Sequence, residues 1–237
     1  MRILITGASK GLGAALASRY MTDGHTVWGV ARSAISSDAV VPDDRFMYTR
    51  CDVRDQAQIR KTTRAMMERA FVPDVVVFNA GAATDDATGP VDFQKFKENF
   101  DANLFGAMVW VEEFLPLFLK RGSGVFAAIS SLSAYRENHK NRVAYSASKL
   151  ALSKAFENLR LQYRSSGVRF VTFHPGRMST EKASFIGTTY CDAARIICRA
   201  TTAARPPSVV NFPALQYYLT RALRFVPDGL FHRFIFR

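Results

Sequence analysis

Hydrophobic positions along the chain follow two periods. Short β-branched and apolar runs at residues 3–5, 26–31, 46–49, 74–78, 124–130 and 168–173 read as strands, several of them too continuously apolar to leave one face wet. Between them lie helix-length segments at 55–70, 92–120 and 145–164. The first run passes at once into a glycine-rich turn, then into Leu12, Leu16 and Tyr20 at helical spacing, with Gly24 as a stop. Strands alternating with helices predict right-handed βαβ units, and hence an α/β fold with one doubly wound parallel sheet and helices on both faces.

Past Pro206-Pro207 the pattern changes. Residues 212–237 are aromatic and arginine-rich and show no evident strand partner, while Leu215, Leu219, Ala222 and Val226 make a partial helical stripe. The stripe predicts a terminal helix packed on the body or on a second subunit. A substrate-side or membrane-surface position for 206–237 is the alternative, because basic residues interleaved with Phe also rest on anionic lipid.

Composition narrows the class. At 237 residues, 48% hydrophobic and 22% charged, the chain fits one α/β domain spanning 1–237 and excludes a disordered polymer, a collagen and a disulfide-stapled miniprotein. Its 32 Lys and Arg against 20 Asp and Glu give a net charge of +12, which favours anionic partners. These cations are spread along the chain and form no recognition motif, so nucleic acid is not expected. The three cysteines include no CxxC, and Cys191 and Cys198 would stand about 10 Å apart along a helix, too far to bridge. A reducing, cytoplasmic compartment is expected. No uncharged apolar run reaches the ~18 residues of a membrane span, and the first residues read as a strand, not a targeting signal. A soluble or at most peripheral protein is expected.

The candidate chemistry begins at Thr6-Gly7-Ala8-Ser9-Lys10-Gly11-Leu12-Gly13, where the first strand meets the first helix. Glycines there let the backbone approach a pyrophosphate at a helix N-terminus. A unit that prefers NAD places an acid at the end of the second strand to take the ribose 2′-hydroxyl. This chain has Val30-Ala31-Arg32-Ser33 instead. A guanidinium forks onto phosphate, and Lys10 adds a second positive charge, so NADP(H) is expected over NAD(H). In Tyr145-Ser146-Ala147-Ser148-Lys149, a phenol and an ammonium at i and i+4 share one helix face. A positive charge beside a tyrosine lowers its pKa and makes it a usable general acid or base.

The glycine loop, Asp52-Val53, Asn79-Ala80-Gly81, Asn103, Ile129-Ser130-Ser131, Tyr145 with Lys149, and Pro175-Gly176 leading to Thr180 occur in one order. Over residues 1 to roughly 200 that series resembles the short-chain dehydrogenases/reductases. The resemblance implies a Rossmann-like sheet of about seven strands and an NADP(H)-dependent oxidoreductase acting on a small-molecule carbonyl or secondary alcohol. It implies that Gly7, Ser9, Lys10 and Leu12 line the pyrophosphate and adenosine ribose, with Arg32 and Ser33 at the 2′-phosphate. Asp52 and Val53 would edge the adenine. Asn79, Ala80 and Gly81 would pass beneath the cofactor, and Pro175, Gly176, Met178 and Thr180 would hold the nicotinamide end. Tyr145 would give the proton while Lys149 binds the nicotinamide ribose and tunes it. A serine would polarise the carbonyl, and Asn103 would position a relay water.

Ser131 is the matching serine, although it precedes Tyr145 by one residue more than that family usually has; Ser133 is the alternative. The lengthened loop at 132–144 also carries Arg136, His139, Lys140 and Arg142, either a solvated cluster or a lure for an anionic substrate. Phe185, Ile186 and Tyr190 offer apolar substrate contact. The resemblance further implies a homodimer or homotetramer paired through the helices at 92–120 and 145–164. A catalytically silent NADP(H)-binding sensor or scaffold is the competing reading, disfavoured because a binding module has no use for a poised phenol. His174 is assigned no role. No metal is expected, since the His and Cys residues show no ligand spacing.

Overall fold

The structure, a computed structural model, describes residues 1–35, 44–83, 92–137, 142–180 and 187–235, with backbone alone at 232, 234 and 235. Its elements are β1 (Arg2–Thr6), α1 (Gly11–Thr22), β2 (Thr26–Ala31), β3 (Phe46–Arg50), α2 (Gln56–Glu68), β4 (Val75–Phe78), α3 (Phe93–Phe100), α4 (Gly106–Arg121) and β5 (Gly124–Ile129). Then follow α5 (Val143–Gln162), β6 (Val168–Pro175), β7 (Met178–Ser179), β8 (Thr188–Thr189), α6 (Tyr190–Thr201), β9 (Val209–Phe212), α7 (Ala214–Leu223) and α8 (Asp228–Ile235). A π-helical turn, Asp101–Phe105, joins α3 to α4, and a 3₁₀ turn, Leu132–Ala134, follows β5.

Seven parallel strands form the sheet in the order β3-β2-β1-β4-β5-β6-β9, as the doubly wound reading predicts. The seventh strand is one that hydrophobic patterning missed. Val209–Phe212 is a short edge between Pro207 and Pro213, and it pairs with the end of β6. Because strand order reverses between β1 and β4, their C-terminal ends open a crevice at the switch point, the usual ligand position in such sheets. Thr6 ties the crevice together, its Oγ1 accepting from the N–H groups of Asn79 (3.1 Å) and Ala80 (3.0 Å).

Continuously apolar strands are explained by cover on both faces. Ile3, Ile5, Val77 and Phe173 face α1 and α6, against Leu16, Tyr20 and Ile197. Leu4, Val76, Phe78 and Phe126 point the other way, toward Ile59 and Met66 of α2, Trp110, Phe114 and Phe118 of α4, and Phe156 of α5. Each such side chain contributes about 1.5–3 kcal/mol when fully buried. The helical stretch Phe93–Arg121 is long and apolar enough to cross a membrane, yet Trp110, Phe114 and Phe118 on it are completely buried against the sheet. Asp55 caps α2 through the N–H groups of Ala57 and Gln58, and Gly122, at φ 68°, ends α4 in the left-handed conformation.

Candidate active site

The loop from β1 to α1 is shaped by two glycines. Gly7 takes φ 70°, and a Cβ there would stand 2.8 Å from the Ala80 Cα. One on Gly13 would stand 2.0 Å from the Gly7 carbonyl oxygen, so helix and loop close only without side chains. No side chain caps α1 after Lys10, which leaves its first N–H groups available to an anion. Arg32 and Ser33 stand exposed at the end of β2, and the Ser33 hydroxyl donates to that of Ser9 at 3.0 Å. Ser9, Lys10, Arg32 and Ser33 thus border one corner of the crevice. On these grounds the residues fit a dinucleotide with a phosphorylated adenosine ribose.

Asn79 holds the loop from beneath, its Nδ2 donating to the carbonyls of Thr6 and Gly7, each at 3.1 Å. Asp52 is taken by Arg54 at 2.7 Å; burial raises its pKa, but the bonds to Arg54 outweigh that and hold the carboxyl below its ordinary range. Val53 is buried, and its carbonyl leaves no room for a Cβ on Gly106 at the start of α4.

The second half of the site comes from β5 and α5. Ser131 follows the end of β5; its Oγ accepts from the Ser133 N–H at 3.1 Å and lies near enough to the phenol of Tyr145, half-buried in the first turn of α5, to pull that pKa down. Ser133 does not share this position: its Oγ is buried without a partner among the described residues. Lys149, one helical turn after Tyr145, is buried and donates from Nζ to the Ile129 carbonyl at 2.8 Å. Burial lowers its pKa to about 8. Its Nζ lies 5.9 Å from the Tyr145 ring centroid and 3.3 Å from where a Cβ on Gly81 would be.

The expected lowering of the Tyr145 pKa is corrected by this environment. Burial raises it above the ordinary tyrosine value, against smaller downward pulls from Ser131 and from Arg142, and with Glu137 adding to the rise. The Lys149 ammonium is turned to a main-chain carbonyl, so the phenol gains less from it than the i, i+4 spacing suggests.

Asn103 sits in the π-helical turn. Its Oδ1 accepts from the Ala82 N–H at 2.9 Å, and its Nδ2 donates to the Ala82 carbonyl (2.9 Å) and the Ser148 hydroxyl (2.8 Å). The side-chain amide is therefore committed to protein groups. Ser148, which sequence reasoning passed over, completes this clasp and is fully buried.

Pro175 ends β6, and Gly176 donates its N–H to the Phe212 carbonyl at 2.7 Å. A Cβ on Gly176 would lie 2.0 Å from Gln216 Oε1, which accepts from the Arg177 N–H at 3.1 Å. Gln216, on α7, gave no signal in the sequence. Met178 pairs with Thr188 in the small β7-β8 sheet, and Thr180 is exposed. Tyr190, expected against substrate, instead lies over the glycine loop, with its ring carbon 3.6 Å from a Cβ placed on Gly11. Phe185, Ile186, His139 and Lys140 fall outside the described residues.

Of the basic cluster, Arg136 pairs with Asp228 at 2.8 Å and stacks 4.2 Å over the Phe231 ring, which fastens α8 to the loop after β5. Arg142 stays beside Tyr145, 6.0 Å from its ring centroid. His174 is a satisfied interior residue: Nε2 meets the Ser153 hydroxyl at 3.1 Å, and burial lowers its pKa to about 4.

Known proteins of similar sequence and shape place the chain in a family. The short chain dehydrogenase family profile matches residues 1–190. An NADPH-dependent pterin aldehyde reductase of Arabidopsis thaliana is 33% identical over 189 residues, covering 76% of this chain and 75% of that protein. Among solved structures, a short-chain dehydrogenase from Streptomyces avermitilis superposes with a TM-score of 0.82 at 25% identity, over 93% of this chain and 91% of the other. A short chain dehydrogenase from Burkholderia cenocepacia in complex with NADP gives 0.80 at 20% identity, over 98% of this chain and 96% of the other. With its seven-stranded parallel sheet and glycine loop, this chain belongs to the short-chain dehydrogenase/reductase family and is an oxidoreductase of that type.

Proposed function

We propose that the protein is an NADP(H)-dependent carbonyl reductase in which Tyr145 is the proton donor. The observation that carries this reading is the Ser131–Tyr145 hydroxyl pair, with Lys149 one helical turn on and its Nζ beside Gly81 at the crevice floor. When bound, the nicotinamide supplies the hydride for the carbonyl carbon. Tyr145 gives its phenolic proton to the carbonyl oxygen, and Ser131 donates a hydrogen bond to the same oxygen as negative charge develops there. Burial keeps Tyr145 protonated at neutral pH, which suits a donor and so favours reduction. Lys149 would hold the nicotinamide ribose, and Asn103 clamps the Ala82 backbone, which would support the cofactor from beneath.

Arg32, Ser33, Ser9 and Lys10 would receive the 2′-phosphate, and the NADPH-dependent Arabidopsis relative supports that choice. Arg142 beside Tyr145 supports an anionic group on the substrate. Residues 1–237 act as one domain, with 206–237 fastened to the substrate side through Arg136, Asp228 and Phe231. Exposed Phe105, Leu119, Leu150 and Leu161 on the helical face support a homodimer. A silent sensor is disfavoured by the intact set of Ser131, Tyr145 and Lys149.

The test is NADPH oxidation followed by absorbance across a panel of ketones, aldehydes and keto acids, run beside Tyr145→Phe. Turnover with at least one carbonyl class, lost in the variant, is expected. A variant that keeps the full rate removes Tyr145 from the chemistry, and tight NADPH binding without turnover on any carbonyl supports the sensor.

A further inference from the structure

The C-terminal segment turns an apolar row away from the body. In α7 the inward residues are Gln216, buried Thr220 and Tyr217, whose ring lies 5.8 Å from that of Tyr135. The opposite face carries Leu215, Tyr218, Leu219 and Ala222, spaced i, i+3, i+4 and i+7 and therefore aligned along the helix. Leu215, Tyr218 and Leu219 are 47%, 68% and 49% exposed. Phe225, its N–H bonded to the Ala222 carbonyl at 3.1 Å, carries the row one turn further and is 82% exposed. Leu230 on α8 is half exposed as well. Of the two places expected for the stripe, the body or a second subunit, Leu215 and Leu219 do not take the first, and the helix docks on the body through its other side.

Charge selects what covers this row. Exposed Arg233, one turn after Leu230, brings positive charge to this segment. It is joined by Arg221, whose guanidinium lies 5.5 Å over the Tyr135 ring, and by Arg224 at the end of α7, beside the groove that holds Tyr135 and Ser153. Among the described residues no carboxylate stands within salt-bridge distance of them. Asp228, the acid in this segment, is taken by Arg136. A second copy of the chain seated here would set these arginines against their own counterparts, on a molecule already at +12. An anionic bilayer meets both demands: leucine and aromatic side chains enter the acyl boundary while guanidinium groups reach lipid phosphates and carboxylates. We propose that α7, the turn through Phe225 and α8 form a peripheral docking face for anionic phospholipid membranes. The proposal is independent of the reaction assigned above.

Sedimentation of the full chain with vesicles tests it, comparing phosphatidylcholine alone with an equal mixture of phosphatidylcholine and phosphatidylserine. Pelleting with the anionic vesicles at least about fivefold above the neutral ones, reversed by high salt, is expected. Leu215→Glu with Leu219→Glu should abolish it. Arg224→Glu with Arg233→Glu should weaken it severalfold while leaving the apolar row intact, and unchanged circular dichroism shows that each variant is folded. Equal pelleting with both lipids, or pelleting that neither pair of substitutions reduces, overturns the proposal. So does a glutamate variant that changes only the mass in solution, which would make the row a contact between copies.

Discussion

The Nζ of Lys149 donates to the main-chain carbonyl of Ile129 at 2.8 Å, in a position closed to water. An ammonium held this way is partly desolvated, and its pKa falls to about 8. Below that pH both folded and unfolded chains carry the proton, and the folded one bears the full penalty. Between about 8 and about 10.5 the folded chain has released it while the unfolded chain has not, so this group's contribution to stability rises with pH. Lys149→Met should therefore stabilise the protein by about 1–3 kcal/mol at neutral pH while removing activity. Thermal melts of both proteins should converge as pH climbs through that window, and a constant gap would contradict the account.

The two candidate serines separate cleanly by their surroundings. Ser131 stands beside the Tyr145 phenol and pulls its pKa down, whereas Ser133 Oγ is buried and unpaired among the described residues. Ser131→Ala should lower kcat by roughly 100- to 1000-fold, as loss of an oxyanion donor does. Ser133→Ala should leave kcat within about twofold and stability unchanged or slightly raised. Steady-state kinetics on the two variants decides, and the reverse ranking would move the catalytic hydroxyl to Ser133.

Under the proposed reading, cofactor choice rests on Arg32 at the end of β2. Removing its guanidinium in Arg32→Ala should raise the KM for NADPH about 10- to 100-fold, the worth of a charge-assisted bidentate contact. The KM for NADH should change by less than about threefold, because that cofactor lacks the 2′-phosphate. Parallel titrations of both nucleotides read the ratio; equal losses would place Arg32 elsewhere than on the phosphate.

Asn103→Ala would strip partners from the Ala82 N–H, the Ala82 carbonyl and the Ser148 hydroxyl together. Each buried polar group left unsatisfied costs about 1–3 kcal/mol, with water recovering part, so a loss of about 2–4 kcal/mol in urea unfolding is expected. A loss below about 0.5 kcal/mol would mean that the clasp is not formed in solution.

The sheet was legible in the sequence because strands covered on both faces need unbroken apolar runs, and residues 26–31 coincide with β2. Val209–Phe212 escaped because four residues between prolines carry too little pattern. The helix at 92–120 was read as continuous, and its π-helical turn at Asp101–Phe105 was invisible, since one extra residue in a turn barely disturbs apolar spacing. Of the site, the structure brings Ser131 and Tyr145 together and sets the glycine loop at the turn from β1 to α1, while the Lys149 Nζ turns to the Ile129 carbonyl and away from the role its spacing suggested. The phenol's raised pKa and the roles of Ser148 and Gln216 depend on burial and on contacts between distant segments. Tyr190 was misplaced for the same reason, since nothing local says that its ring covers Gly11.

Gln216 reaches from α7 to the Arg177 amide, where Gly176 leaves no space for a side chain. The tail is thereby wired into the cleft wall. Grafting the corresponding segment from another family member would change the shape of the cleft wall at Gly176-Arg177, even with every sheet residue untouched. Substrate preference can drift through the end of the chain while the nucleotide half keeps its form.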